Sequence, residues 1–284
     1  MVGPVRRAPA VLTAVVLALT LASCSHSSND KPRTSPSLRA PLPYEAAVLA
    51  DGPSGLWPLR DADGLNARDE VANLAPTGSV ANVVGGTISG TSSPGGARGA
   101  VFVRGGRIVT GVTSGIESTA PWSLEMTLRA DACTSAWGRV VGTTAQTETG
   151  REGLDVLHFP AQFQLSPCRL GVELWHRGAY LAGCHPAGVP ALGRWLHLAI
   201  TYSGRRLTCY ENGYQVGTQL LAAAAAAAYA QPGPLGIGGS GSGFQGPLDG
   251  MSISEVAYYD HALSVAQVRA HASLVERALT PSTP

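Results

Sequence analysis

The stretch GRWLHLAITYSGRRLTCYENGYQVGT, residues 193–218, reads as two β-strands followed by a tight turn. Residues 195–202 are rich in apolar and aromatic side chains, and Ser203-Gly204 interrupts them. A second strand starts near Leu207, and Asn212-Gly213 then supplies the two positive-φ positions that a type I′ hairpin needs. The stretch holds no nucleophile paired with a base. We therefore interpret it as part of a structural sheet and not as the wall of an active site.

Similar short apolar segments recur along the chain, separated by turns that draw on its 35 glycines. This spacing predicts an all-β fold, an antiparallel two-sheet jelly-roll sandwich. One short helix is predicted near the C-terminus. Ser264 and Gln267 form a capping box there, and Val268, Ala272 and Val275 follow at helical spacing.

The N-terminus has the pattern of a bacterial secretion signal. Arg6-Arg7 precedes an uncharged apolar run, and Leu21-Ala22-Ser23-Cys24 closes it. The last four residues resemble the lipobox of bacterial lipoproteins, in which the cysteine is acylated and becomes the mature N-terminus. We predict a signal peptide over 1–23 and lipidation at Cys24, with membrane attachment through the lipid alone. An ordinary secreted protein with a cysteine at this place is the alternative.

Composition divides the rest of the chain and excludes some partners. Residues 24–43 are rich in Ser and Pro and predict a disordered tether, 44–277 predict one domain, and 278–284 predict a disordered tail.

Removal of 1–23 takes away two arginines and no acids, so 18 Lys+Arg remain against 19 Asp+Glu. This balance argues against nucleic-acid binding. We expect an extracytoplasmic monomer.

Four cysteines follow Cys24: Cys133, Cys168, Cys184 and Cys209. An even number in an exported chain predicts two disulfides, for which three pairings exist. A hairpin turn at Arg177-Gly178 would set Cys184 opposite Gly171, three residues from Cys168, so that pair is disfavoured. We expect Cys133–Cys168 and Cys184–Cys209.

Four segments in order resemble the LamG-like, concanavalin A-like jelly-roll domains of the actinobacterial type. They are YEAAVLADGPSGLWPLRDADGLNARDEVAN (44–73), PWSLEMTLRAD (121–131), the opening stretch at 193–218, and ISEVAYYDHALSVAQV (253–268). The resemblance implies that Trp57, Trp122 and Trp195 are core residues and that His197 is a packing residue.

Some lineages on this fold are glycosidases, so an enzyme is the alternative function. Laminarinase-like members carry Glu-x-Asp-x-x-Glu, which strand alternation places on one face as nucleophile and acid. None of the ten glutamates here has an Asp two residues later. His-Glu-x-x-His and Gly-x-Ser-x-Gly are also missing. Glu148, Glu152 and Asp155 are interpreted as solvated loop acids, and we predict no catalysis.

The resemblance also implies a calcium site at the rim of the sandwich. Asp69 and Asn73 stand where the related domains have an acidic turn, and both offer hard oxygen ligands. The family's glycine is missing from this turn. A surface turn capped by Asp69 is the alternative.

The segment ELWHRGAYL, residues 173–181, is the candidate ligand surface. Trp175, His176, Arg177 and Tyr180 place aromatic rings beside a cation at a predicted hairpin tip, an arrangement suited to stacking on a sugar ring or a peptide side chain. Alternatively, Trp175 folds back over the sheet edge. The sequence thus predicts a lipid-anchored binding module for glycans or cell-envelope polymers, with an enzyme or a protein-adhesion domain as alternatives.

Overall fold

The computed structural model describes residues 43–59, 66–67, 81–84, 87–92, 94, 98–103, 107–110, 120–132, 137–159, 169–185, 192–223, 233–242, 248 and 250–279. These residues form two helices, α1 (Pro43–Ala50) and α2 (Val265–Leu279), and seventeen strands. The strands are β1 (Gly55–Trp57), β2 (Asn66–Ala67), β3 (Ala81–Val84), β4 (Thr87–Ser92), β5 (Arg98–Val103), β6 (Arg107–Val109), β7 (Trp122–Ala130), β8 (Gly138–Gly142), β9 (Ala145–Thr147), β10 (Gly150–Phe159), β11 (Arg169–His176), β12 (Ala179–Cys184), β13 (Trp195–Tyr202), β14 (Arg206–Glu211), β15 (Tyr214–Leu220), β16 (Gly236–Ile237) and β17 (Met251–Tyr259).

The strands pair into two antiparallel sheets, which confirms the predicted fold class. Sheet A has the order β15-β14-β13-β7-β17-β5-β4, and β1 also pairs with β17. Sheet B has the order β12-β11-β10-β8-β16-β6-β3-β2, and β9 also pairs with β10. Neighbours that are distant in sequence, such as β7 and β17, make this a sandwich of long-range pairings.

The opening stretch forms β13, β14 and β15 of sheet A, as predicted. Asn212 and Gly213 both have positive φ, 49° and 79°, and close the β14–β15 hairpin. Every residue of β13 is buried, because alternate side chains enter the core while those between them lie beneath the helices. The core side includes Tyr202, whose ring stacks on Trp122 with centroids 5.6 Å apart. Trp57 and Trp122 lie in the core, as the resemblance implied. Trp195 is buried but lies outside the core cluster, with the guanidinium carbon of Arg129 5.0 Å from its ring centroid.

Both helices pack on the outer surface of sheet A, and we call this surface the covered face. The helix α2 begins with the predicted capping box: the Ser264 amide donates to Gln267 Oε1 at 2.9 Å, and the Gln267 amide donates to Ser264 Oγ at 3.3 Å. The sequence did not predict α1, a helix of only two turns that contributes the buried Tyr44 and Val48 to this layer. Within the described residues, neither helix is long and apolar enough to cross a membrane.

A disulfide joins the two sheets through the core. Cys184 on β12 is bonded to Cys209 on β14, with Cα atoms 6.2 Å apart, so the predicted Cys184–Cys209 pairing is confirmed. Cys209 lies opposite Gly217, where a Cβ would come within 2.7 Å of Cys184 Cβ, so this glycine makes room for the bridge. Cys133 and Cys168 lie outside the described residues, and their pairing stays a prediction.

The expected register of the β11–β12 hairpin was wrong by one residue. Arg177 and Gly178 form the turn, both with positive φ, as predicted. Cys184 nevertheless lies opposite Val172 and not Gly171, because a bulge shifts the register between Leu174 and Trp175. The shift turns Cys184 into the core toward Cys209.

Candidate functional site

The outer surface of sheet B, which we call the open face, carries two of the four predicted ligand-binding residues. Strand alternation sends Leu174 into the core and Trp175 outward. The β11–β12 pairing sets Trp175 opposite Tyr180, and their ring centroids are 5.7 Å apart at 76°. Tyr180 is 44% exposed. Both helices of the described chain lie on the other sheet, so neither covers this aromatic pair.

The indole of Trp175 is fixed in place by two charged neighbours. Its Nε1 donates a hydrogen bond of 2.9 Å to Glu173 Oε2. The guanidinium carbon of Arg151 lies 4.3 Å from the indole centroid, a cation–π contact. Arg151 Nη2 also lies 3.3 Å from Glu173 Oε2, which closes a small ring of contacts. The ring is therefore partly buried and held in one orientation on the sheet.

A buried ion-pair row continues from this indole across sheet B. Arg151 pairs with Asp155, and Arg139 Nε donates to the other oxygen of Asp155 at 2.7 Å. The side chains of Arg139 and Asp155 are fully buried. Burial lowers the pKa of the Arg139 guanidinium, and the negative charge of Asp155 opposes this effect. The interpretation of Asp155 as a solvated loop acid was wrong, since β10 is a central strand.

The row ends at an exposed indole, that of Trp137, which was not predicted from the sequence. Trp137 precedes β8, is 37% exposed, and has its ring centroid 4.9 Å from the guanidinium carbon of Arg139. The signal was available, because Trp137 and Arg139 are two residues apart and so share a face of a strand. That this face is also the one that carries Trp175 depends on the order of strands in sheet B, which no local pattern predicts.

Glycines let the long side chains of the open face lie flat on the sheet. A Cβ at Gly183 would come 2.3 Å from the Tyr180 hydroxyl oxygen, and one at Gly142 would come 2.6 Å from Asp155 Oδ1. Partial burial, and then the charge of Glu173, raise the pKa of the Tyr180 phenol. The phenol is therefore a neutral hydrogen-bonding group at ordinary pH.

The other two predicted residues are placed differently. Strand alternation directs His176 to the face opposite Trp175, and its Nδ1 is 3.9 Å from Glu152 Oε1. Arg177 stands at the exposed tip of the turn. The structure thus brings together Trp175 and Tyr180, adds Arg151 and Glu173 to them, and separates His176 from the pair.

A second cluster of polar groups lies sealed on the covered face around Glu125 of β7. Its carboxylate contacts His197 Nε2 at 3.0 Å and His271 Nδ1 at 3.1 Å, and it accepts a hydrogen bond from the Tyr259 hydroxyl. His271 Nε2 in turn lies 3.2 Å from Asp51 Oδ2. The cluster joins three strands of sheet A to α2 and to the end of α1. His197 is buried, as the resemblance implied, but as a member of a polar network.

The charges in this cluster are set by mutual contact. Burial alone would raise the pKa of the Glu125 carboxyl, but hydrogen bonds and charge from His197 and His271 outweigh burial and lower the pKa to about 2. Burial would lower the pKa of His271, but Glu125 and Asp51 raise it. Both nitrogens of His271 therefore donate to carboxylates, as in an imidazolium ion.

The remaining predicted sites lie outside the described residues. These are the lipidation residue Cys24 and the calcium candidates Asp69 and Asn73. Within the ranges that the structure describes, no group of three or more His, Cys, Asp or Glu side chains is arranged to hold a metal ion. Calcium binding at Asp69 and Asn73 stays a prediction.

Comparison with models of protein families assigns the chain to a superfamily. A family model described as the concanavalin A-like lectin/glucanases superfamily matches residues 105–269, more than half of the chain. The chain belongs to this superfamily. The LamG-like resemblance drawn from the sequence is thereby confirmed. No curated protein sequence matches the chain.

Solved structures share the superfamily fold at low identity. Domain 4 of AbnA, a GH43 extracellular arabinanase from Geobacillus stearothermophilus solved with arabinotriose, is 16% identical, with a TM-score of 0.56, and covers 78% of this chain and 98% of its own. Trypanosoma rangeli sialidase in complex with 2,3-difluoro-KDN is 15% identical at a TM-score of 0.53, over 80% of this chain. The receptor-binding domain of a botulinum neurotoxin C/D mosaic serotype is 9% identical, with a TM-score of 0.57, over 78% of this chain. The match covers only 33% of the sialidase chain and 51% of the toxin chain. At these identities the likeness shows the fold alone.

Proposed function

We propose that this protein is a lipid-anchored, extracytoplasmic binding module whose open face recognises glycans. The observation that carries the proposal is the braced aromatic pair of Trp175 and Tyr180. One indole is oriented by Glu173 and Arg151, and one phenol is 44% exposed beside it. A preorganised aromatic surface with hydrogen-bonding groups at its edge suits the apolar face and the hydroxyls of a sugar ring.

The relatives support a carbohydrate ligand in general terms. Domain 4 of AbnA was solved with arabinotriose and corresponds to this chain over 98% of its own length. That domain is one part of a larger arabinanase, which is the arrangement expected of a module that binds a polymer. The transfer to this chain is part of the proposal.

The test is a purified Trp175→Ala variant of residues 44–279 on a glycan array, beside thermal unfolding. We expect glycan binding to weaken by about 1 kcal/mol or more, since a ring contact is lost. Stability should fall by less than in a core substitution, because the ring is partly exposed. Trp122→Ala is the matched control: it removes a fully buried indole and should cost about 3–5 kcal/mol of stability. Unchanged glycan binding by a folded Trp175→Ala protein would contradict the proposed site.

A glycoside hydrolase is the second candidate, favoured by one pair of carboxylates. Asp155 and Glu173 are directly opposite each other on β10 and β11 and share Arg151 as partner. Retaining glycosidases use two carboxyl groups about 5 Å apart. Binding is nevertheless the better-supported function, because both oxygens of Asp155 are paired with arginines and its side chain is fully buried. Turnover of an array hit that is lost in Glu173→Gln would establish the enzyme instead.

The lipid anchor is tested separately from the open face. The apolar run and Leu21-Ala22-Ser23-Cys24 support acylation at Cys24. Labelling cells with an alkynyl fatty acid should tag the wild-type protein and leave Cys24→Ala untagged. Equal labelling of both proteins would show that Cys24 is not the acylated residue.

A further inference from the structure

A cavity of about 300 Å³ lies between the start of α1 and the C-terminal end of α2. Its rim is exposed to solvent at Pro43 and Arg277. Its floor is formed by buried residues, namely Tyr44, Pro94 and Glu255. Small-molecule sites in proteins have volumes of about 300–1,000 Å³, so this cavity suits a compact ligand and not a polymer.

A β-bulge supplies the carboxylate on the floor of the cavity. Regular alternation allows one residue between the core residues Ile253 and Val256 of β17, but two are present. The register of β17 against β7 shifts at the same place. Glu255, the second of the two residues, has a φ of 54°, in the left-handed region that residues other than glycine seldom adopt. Such a backbone is costly, and bulges and strained residues are frequent at ligand sites.

Two opposite charges line this cavity, and its other walls are apolar or aromatic. Thr127 Oγ1 on the outer side of β7 lies 3.0 Å from Glu255 Oε2, which places this carboxylate on the covered face. Arg277 lines the cavity from α2. Burial, and then the charge of Glu125, raises the pKa of the Tyr44 phenol, so the phenol adds no charge. The apolar walls include Leu274, Val275 and Ala278.

The pair of charges selects the kind of ligand. A molecule with only a positive charge would be repelled by Arg277, and one with only a negative charge would be repelled by Glu255. A small zwitterion finds an opposite charge for each of its own, and an apolar group attached to it gains from contact with Leu274 and Val275.

We infer that this cavity binds an apolar α-amino acid, with its ammonium group toward Glu255, its carboxylate toward Arg277 and its side chain against Leu274 and Val275. This inference goes beyond the proposed function. The cavity lies on the covered face and the aromatic pair lies on the open face, so the two sites are tested independently.

The experiment is calorimetry of the full chain with L-leucine and with two analogues that each lack one charge. N-acetyl-leucine lacks the positive charge, and leucine amide lacks the negative charge. We expect leucine to bind with one molecule per chain and each analogue to bind about tenfold more weakly, since each loses one hydrogen bond between charged groups. Isopentanol, which has neither charge, should bind more weakly still.

Variants of the two charged residues identify which group each charge of the ligand contacts. Arg277→Gln should weaken leucine about tenfold and leave leucine amide unchanged. The matched control is Arg269→Gln, at an exposed arginine of α2 that does not line the cavity, and it should leave both unchanged. Glu255→Gln should weaken leucine and leave N-acetyl-leucine unchanged. If Glu255→Gln does not fold, Arg277→Gln and the rim variant below still decide the outcome.

A rim variant tests the cavity itself. Ala278→Trp, at an exposed position, should abolish leucine binding and leave thermal unfolding unchanged, because the indole would fill the cavity. No binding of leucine by the wild type would overturn the inference. Equal affinities for leucine, its two analogues and isopentanol would also overturn it, since the charges would then select nothing. Loss of leucine binding in Trp175→Ala would place the ligand on the open face and contradict this site.

Discussion

The two outer faces of the sandwich carry similar polar and aromatic side chains in different surroundings. The covered face holds Glu125, His197, His271 and Tyr259 beneath α1 and α2, and the open face holds arginines, carboxylates and indoles. On the covered face, the buried Glu125 carboxylate contacts two histidines and a tyrosine and so links the helices to the sheet. On the open face, the fully buried Arg139–Asp155 pair continues into the partly exposed Arg151 and Glu173. The two faces therefore differ in what borders the polar cluster, which is a pair of helices on the covered face and aromatic rings that reach water on the open face.

The largest expected effect comes from removing the carboxylate on the covered face. Glu125→Ala would leave His197, His271 and Tyr259 buried without their acceptor and should cost about 3–5 kcal/mol of the free energy of unfolding. The matched control is Glu173→Ala on the open face, which should cost about 1 kcal/mol because its side chain is partly exposed. Denaturant unfolding measures both. Equal losses would break the distinction between the faces.

The next effect comes from the bridge between the two sheets. The Cys184–Cys209 bond closes a segment with a sequence separation of 25 residues, and the loss of chain entropy in the unfolded state gives about 3.5 kcal/mol of stabilisation. Cys184→Ala combined with Cys209→Ala should lose this amount. We expect glycan binding to survive, since neither cysteine is on the open face. Loss of binding in a folded double variant would show that the bridge also positions the β11–β12 hairpin.

The smallest expected effect is the pH dependence of the covered face. Because the pKa of Glu125 is lowered from 4.5 to about 2, its contribution is complete above pH 4.5 and is lost as pH falls toward 2, roughly 3 kcal/mol at most. The pKa of His271 is raised, so its contribution is complete below pH 6.5 and is lost as pH rises through the higher folded value.

Unfolding free energies from pH 2 to 9 would measure this dependence. His271→Gln should flatten the alkaline side of the profile, while the control His261→Gln, at an exposed histidine, should leave it unchanged. An unchanged alkaline side in a folded His271→Gln protein would show that His271 is not charged between Glu125 and Asp51.

The sequence alone determined the class of fold and most of its local devices. These devices act over a few residues, so they can be predicted without knowledge of tertiary contacts. They include apolar alternation, glycine-rich turns, the Asn212-Gly213 turn and the Ser264 capping box. The pairing of Cys184 with Cys209 was also expected. The helix α1 was missed, because its two turns depend on the tertiary packing of Tyr44 and Val48.

Only the tertiary structure decided which polar residues share a face and which of them reach water. Asp155 looked like a loop acid and is a buried partner of two arginines, because β10 is central in sheet B. His176 looked like a companion of Trp175 and points the other way, while Trp137 joins the same face from another strand. These relations depend on long-range strand order and on a single-residue bulge, and neither can be predicted from a local sequence pattern.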